Sequence, residues 1–327
     1  MKRIPTLDGW RGIAILLVLI DHYQLGFCDR LHWYSGQHGV QIFFVLSGFL
    51  ITSQLISHEN TTLRSFYIRR AFRILPAALL YLGTLSILLL VLTGSASHAG
   101  ILSSLLFYRN YVPQYSPRLG STNQFWSLSL EEQFYFFWPV VFLTLRKRRA
   151  AILAFILIGI IASYRFLFWG FYPPFYAHTE IRADGLLVGC VLAIVLDNPK
   201  NRALAAQWLP LLFWPALVLF CFDNLAFKML IPLHESMAIA VMIGATSQGK
   251  MAIARLLDWK PLTALGVGSY SVYLWQQLCL RPEWGWAWPV LLFLVPLISY
   301  ACVEQPARRI GKRMSQRWLP QKHRTPV

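Results

Sequence analysis

Charge is scarce in this chain. Only 13% of its 327 residues are Asp, Glu, Lys or Arg, about half the share expected of a soluble domain. Cysteine is sparse and scattered, at Cys28, Cys190, Cys221, Cys279 and Cys302. The count is odd and no CxxC spacing occurs, which supports neither a metal site nor a disulfide framework. Small core residues are the expectation for them. No internal repeat is evident, which argues against an inverted-repeat transporter. No small-residue cleavage site follows the first apolar run, so Lys2, Arg3 and that run read as an uncleaved first span. What the chain has instead is apolar length. It is 56% hydrophobic, with a mean hydropathy of +0.49. Its apolar runs recur from end to end, each near the roughly 20 residues that cross a bilayer. The expectation is an all-α polytopic membrane protein with the lipid bilayer as its first partner. The net charge of +16 would suggest nucleic acid in a soluble protein. Here the positive-inside rule explains it, so no nucleic-acid partner is expected.

The runs predict about ten spans, at 10–28, 39–57, 75–94, 125–145, 150–169, 183–197, 208–225, 230–248, 262–280 and 287–304. The connection from Gly94 to Gln124 is the longest polar one and has room for a short interfacial or re-entrant helix. Charge tests the topology. With the N-terminus inside, the inner segments hold 22 of the 30 basic residues. The outer ones hold Arg30, Arg109, Arg118, Lys228 and Arg281. Such a bias predicts both termini in the cytoplasm. The chain then divides into a transmembrane domain over 1–307 and a basic cytoplasmic tail over 308–327, with no soluble domain expected after the tenth span.

Ionisable groups among lipid tails are costly and are functional candidates by default. In "RGIAILLVLIDH", Arg11 and His22 are eleven residues apart. On a helix that is about 20° past three turns and about 16 Å along the axis, so the two share a face at different depths. Asp21 points about 100° away. Arg11 can equally snorkel and pair with Asp8, whereas His22 carries the natural base near neutral pH. In "GVQIFFVLSGFLIT", Ser47 and Gly48 suit close helix contact. In "FYIRRAFRILP", Arg73 neighbours both Arg69 and Arg70 on a helix. That cluster suits a pyrophosphate, or the headgroups of anionic lipid.

"FWSLSLEEQFYFFWP" places Glu131 and Glu132 before a long apolar run, with Trp126 upstream and Tyr135 one turn beyond Glu131. A carboxylate so placed needs a partner or a proton. An arginine from another span would satisfy it as well as chemistry would. "TEIRADGLLVGC" brings Glu180, Arg182 and Asp184 together as a local ion-pair knot. "GSYSVYLWQQ" adds a tyrosine and amides, Gln276 among them, best suited to interhelical hydrogen bonds. "VEQPARRIGKR" closes the last span with Glu304 and a basic helix that fits ordinary topology signalling.

In this order these motifs resemble the acyltransferase-3 family of integral membrane acyltransferases, over nearly the whole chain. The opening "LDGWRGIAILLVLIDH", the "GVQIFFVLSGFLIT" run, the RxxR of "RRAFR" and "WSLSLEEQFYFFWP" are specific as a set. "RADGLLVG", "SYSVYLWQ" and "VEQPARR" continue the likeness. The resemblance implies an O-acyltransferase of the bacterial inner membrane. It would move an acetyl group from acetyl-coenzyme A to a carbohydrate or lipid-linked glycan, without a metal. It implies His22 as catalytic histidine with Arg11 as its motif partner. Arg70 and Arg73 would meet the cytoplasmic donor beside Arg69, and Glu131 would be the more persistent of the two glutamates. Ser47, Trp126, Tyr135, Arg182, Asp184 and Gln276 are the expected substrate contacts. Two positions depart from the pattern: Gln41 stands where an acid is common, and Gln276 where a histidine is common. Some members carry an extracytoplasmic esterase-like domain, which is not expected here.

Coenzyme A cannot cross the bilayer. A pantetheine arm of order 15–20 Å matches the Arg11–His22 rise, so His22 would meet both the thioester and a hydroxyl from outside. His22 would act as general base or form an acyl-histidine. Arg11, Glu131 or Ser47 would orient the ring or stabilise the oxyanion. A transporter or flippase using Arg11, His22, Glu131 and Arg182 as a substrate or proton path is the alternative. A non-catalytic scaffold would carry these charges at needless cost. The acceptor and the oligomeric state are not legible.

Overall fold

The computed structural model describes residues 4–22, 35–57, 62–93, 98–112, 122–168, 177–221, 231–249, 251–280 and 282–318. The end of the first expected span, Cys28, Lys2, Arg3, Lys250, the tail beyond Trp318 and four of the expected outer cations (Arg30, Arg118, Lys228 and Arg281) lie outside them. All regular structure among the described residues is helical. The helices are α1 Pro5–His22, α2 Ser35–Ser57, α3 Leu63–Thr93, α4 His98–Leu105, α5 Phe125–Leu167, α6 Thr179–Arg182 and α7 Asp184–Asp197. They continue as α8 Pro199–Cys221, α9 Ile231–Ser247, α10 Ala252–Leu257, α11 Lys260–Cys279, α12 Trp288–Ser299 and α13 Gln305–Gln316. A π-helical turn, Tyr300–Glu304, joins the last two.

Five helical stretches among the described residues are long and apolar enough to cross a membrane: Ser35–Ser57, Leu63–Val91, Phe125–Leu167, Pro199–Cys221 and Trp284–Gln316. The longest is not one straight rod. Arg146 has φ 62° and ψ 167°, a conformation L-residues rarely adopt, and it breaks α5 into 125–145 and 147–167. The break falls where four consecutive basic residues predicted a loop. The outward faces are strongly apolar, as at Phe136, Phe155, Leu211, Trp214 and Phe293, each more than half exposed. Exposed aromatic and aliphatic faces of this extent suit lipid rather than water. This is an integral membrane protein.

The chain forms two compact units. The first comprises Met1–Ser57 and Leu130–Ser269. Its core joins α1, α2, α7, α8 and α9 through Trp10, Ala14, Ile42, Leu46, Ala193, Phe213 and Ile243. The α2–α7 contact is glycine-mediated on both sides. A Cβ on Gly48 would lie 1.8 Å from the Leu186 carbonyl oxygen, and one on Gly189 2.1 Å from that of Val45. Backbones approach this closely only where the side chain is a hydrogen. Likewise Gly39 admits the backbone of α1, with the Ala14 oxygen 2.4 Å from where its Cβ would be.

The second unit comprises His58–Ser129 and Tyr270–Val327. Tyr81 at its centre packs against Phe125 and Trp275, among Ile74, Leu82, Leu85 and Leu278. The long polar connection holds α4, the short helix the sequence left room for. Arg109 then braces the connection, fully buried. Its side chain donates to Thr122 Oγ1, the Val112 carbonyl and Asn123 Oδ1 at 3.3, 2.8 and 2.6 Å. Its backbone N–H donates to Ser129 Oγ at 3.2 Å. Burial holds this guanidinium below its ordinary pKa, and its neutral oxygen acceptors offset that desolvation.

Candidate active site

α1 is unbroken from Pro5 to His22, so the helical geometry that places Arg11 and His22 on one face holds. Asp21 lies against α2, its Oδ2 2.6 Å from where a Cβ on Gly36 would sit. His22 is exposed at the end of the helix, with Nδ1 2.8 Å from the Val18 carbonyl oxygen. A carbonyl oxygen only accepts, so Nδ1 carries the hydrogen of this bond and Nε2 is the basic nitrogen of the neutral ring. The backbone thus holds the ring in one tautomer and one orientation. In serine hydrolases an aspartate does the same for the catalytic histidine.

Ser47 of α2 and Glu131 of α5 meet: the serine hydroxyl donates to Glu131 Oε1 at 2.6 Å. The bond is charge-assisted and short. The serine's one hydrogen is committed to the carboxylate, so in this arrangement Ser47 orients Glu131 and is not a donor to an oxyanion. One turn on, Tyr135 is buried, and Trp138 donates its indole N–H to Thr52 Oγ1 at 2.8 Å. Gln133 accepts from the Thr179 hydroxyl at the start of α6. The Glu131 segment is therefore anchored at several points by α2 and α6.

Asp184 takes its ion pair from Arg165 of α5, at 2.6 Å with both side chains fully buried. Arg165 also donates to the Ile181 carbonyl at 3.0 Å. Glu180 lies 3.2 Å from His178, and Arg182 is buried. A second buried pair went unnoticed in the sequence. His38 Nδ1 of α2 and Glu235 Oε1 of α9 are 2.8 Å apart, with 3% and 4% of their side chains exposed. Glu235 sits within a predicted span, so the rule that marked Glu131 also marks it. Beside this pair Gln41 donates to Ser236 Oγ at 2.6 Å and to the Pro232 carbonyl at 3.2 Å. Gln41 therefore ties α2 to α9.

The remaining expected site residues belong to the second unit. Arg69, Arg70 and Arg73 are half-buried on α3, and Trp126 is half-buried at the start of α5. Nearby, Ser127 Oγ and Tyr273 OH are 2.5 Å apart, and Tyr273 also donates to the Gln124 carbonyl at 3.2 Å. Gln276 is fully buried, and neither its amide nitrogen nor its oxygen has a hydrogen-bond partner among the described residues. No cluster of metal-ligating side chains occurs among the described residues.

The comparison that decides the family is a profile match. The profile of the acyltransferase domain of the acyltransferase-3 family aligns with residues 4–303. The chain belongs to the acyltransferase-3 family. Its relatives include a Bacillus subtilis protein with the provisional name peptidoglycan O-acetyltransferase YrhL. That protein is 31% identical over 97% of this chain and 56% of its own length. Peptidoglycan O-acetyltransferase OatA of Listeria monocytogenes is 29% identical over 95% of this chain and 56% of its own length. A Staphylococcus aureus protein, provisionally named an O-acetyltransferase, is 29% identical over 98% of this chain and 59% of its own length. The chain thus spans little more than half the length of these relatives. No solved structure matches it.

Proposed function

We propose that the chain is a membrane O-acyltransferase that moves an acetyl group from cytoplasmic acetyl-coenzyme A to a hydroxyl of an envelope glycan, with His22 as general base. The carrying observation is the His22 ring, fixed through Nδ1 on the Val18 carbonyl so that Nε2 is basic. In this reading Nε2 takes the proton of the acceptor hydroxyl. The oxygen attacks the thioester carbonyl, the C–S bond breaks, and the imidazolium returns the proton to the leaving thiolate. In this reading the Glu131 carboxylate, held in place by Ser47, favours the imidazolium form of the ring, and Arg11, about 16 Å away along α1, lies towards the donor end of the same face. Arg69, Arg70 and Arg73 take the donor phosphates. Trp126, Tyr135, Arg182 and Gln276 contact the substrates. Gln276 can donate and accept hydrogen bonds there but cannot act as a base. Asp184, neutralised by Arg165, we read as holding the start of α7 rather than touching the substrate.

Ten spans with both termini in the cytoplasm and residence in the bacterial inner membrane fit the charge bias and this donor. The names of two relatives support peptidoglycan as the acceptor. The test is transfer by the purified protein in lipid nanodiscs, from labelled acetyl-coenzyme A to glycan fragments, read by mass spectrometry. Wild type should add one acetyl mass. His22→Ala should bind the donor, keep its melting temperature and transfer nothing. Full transfer by folded His22→Ala protein would remove the reading. A transporter of other cargo would not bind acetyl-coenzyme A.

A further inference from the structure

The basic helix after the last apolar stretch reads in the sequence as topology signalling. In the structure it packs on the helix that carries the arginine cluster. Gly311 of α13 lies against Phe72 of α3, whose Cβ is 2.5 Å from where a Cβ on the glycine would be. Further out, Thr62 donates to the Trp318 carbonyl at 3.3 Å, and the Arg64 guanidinium carbon stands 3.2 Å from the Trp318 ring centre. Contacts that rise along one chain as they fall along the other make the two helices antiparallel. Ala307, Gly311 and Ser315, one turn apart, form the buried stripe of α13.

Rotation about each axis then assigns the flanks. With Phe72 and Gly311 facing each other, 100° per residue puts Arg69 about 60° and Arg73 about 100° round α3 from the contact line. It puts Arg308 about 60° and Lys312 about 100° round α13. Between antiparallel helices, equal rotations lead to the same side of the pair. Four cations therefore border one groove, with Arg70 further round α3. The opposite flank has different chemistry. Leu75, Ile310 and Met314 turn that way, exposed by 37, 49 and 40%, and the Arg64–Trp318 stack closes it. The apolar flank suits acyl chains and interfacial lipid. Arg64, stacked on Trp318, and Arg317 turn to the apolar side, whereas Arg69, Arg73, Arg308 and Lys312 gather on the other, and that gathering favours a multiply charged soluble anion as their ligand.

We propose that this flank binds the phosphates of the acyl-coenzyme A donor, with Arg308 and Lys312 of α13 adding to the arginines of α3. The proposal rests on the acyltransferase reading. The nucleotide end of coenzyme A carries a diphosphate and a 3′-phosphate, and a phosphomonoester alone brings about −1.5 to −2 charges. Two arginines of an RxxR pair do not balance that load, whereas cations on both walls of a groove do. Arg308 is braced by Glu304 at 3.4 Å, whose carboxylate also accepts from Ser271 at 2.8 Å. Lys312 is exposed and stands off the packing stripe, so replacing it leaves the helix contact intact.

The test is binding of coenzyme A and of dephospho-coenzyme A, which lacks the 3′-phosphate, to the full chain in phosphatidylcholine nanodiscs. Wild type should prefer coenzyme A. Lys312→Gln should lose about five- to tenfold in coenzyme A affinity, with Lys312→Arg restoring it and Met314→Gln on the apolar flank without effect. Unchanged affinity in Lys312→Gln would overturn the proposal. So would a loss confined to binding of phosphatidylglycerol vesicles, which would assign the flank to lipid headgroups. Failure of wild type to bind coenzyme A at all would instead strike the donor reading itself.

Discussion

A neutral histidine has one basic ring nitrogen, and the bond from His22 Nδ1 to its own helix makes that nitrogen Nε2. Removing the ring deletes the bond to Val18 at an exposed position. His22→Ala should therefore cost well under about 1 kcal/mol of stability while abolishing transfer, checked by thermal melts beside the acetylation assay. Ser47 and Glu131 behave as a unit. Ser47→Ala leaves the carboxylate short of a donor, at a cost of about 1–3 kcal/mol. Glu131→Gln should lower activity more than stability. Measured as a double-mutant cycle, the pair should show coupling, and additive effects would separate them. Both residues stood out in the sequence as polar groups in apolar runs. Their pairing did not, since 84 positions separate them. His38 and Glu235, 197 apart, were not singled out in the sequence at all.

Around α2, neighbouring helices approach through glycine hydrogens. Gly48 and Gly189 let α2 and α7 approach until each other's carbonyls occupy the Cβ positions. Even Gly48→Ala must push the two backbones apart, at a cost of about 1–3 kcal/mol by overpacking. A fall in melting temperature of the detergent-solubilised protein would register it, and an unchanged melt would mean that α2 and α7 are not in contact. The sequence signalled Gly48 as a contact residue but not its partner, because small residues suit any neighbour. It also marked the break at Arg146, since consecutive cations cannot continue an apolar span. The positive φ at that break was not legible, because arginine has no preference for it.

At the scale of the whole chain, charge asymmetry and buried ion pairs constrain different things. The first bears on orientation. Reporter fusions after residue 318 should be active only as cytoplasmic reporters, and an active periplasmic reporter there would reverse the topology. The second bears on stability. Arg165→Leu leaves Asp184 buried and uncompensated, which should cost about 3–5 kcal/mol. The double change Arg165→Leu with Asp184→Leu should recover most of that, as read by thermal melts. The order of the motifs along the chain was enough to suggest the family. The partition into two compact units was not legible, because each unit is assembled from two separate stretches of sequence.

Composition and the length of apolar runs by themselves determined that this chain lives in a bilayer, because transfer into lipid depends on each segment alone. They also marked several costly polar groups, Glu131 and Asp184 among them, since such groups are rare against that background. Only the tertiary structure supplied their partners, Arg165 for Asp184 and Ser47 for Glu131, showed the pair His38 with Glu235, and set α13 on the arginine helix. The reason is physical. A helix that is apolar on all sides carries no amphipathic period to say which face turns inward. Its rotation and its neighbours are set by packing against helices from distant parts of the chain.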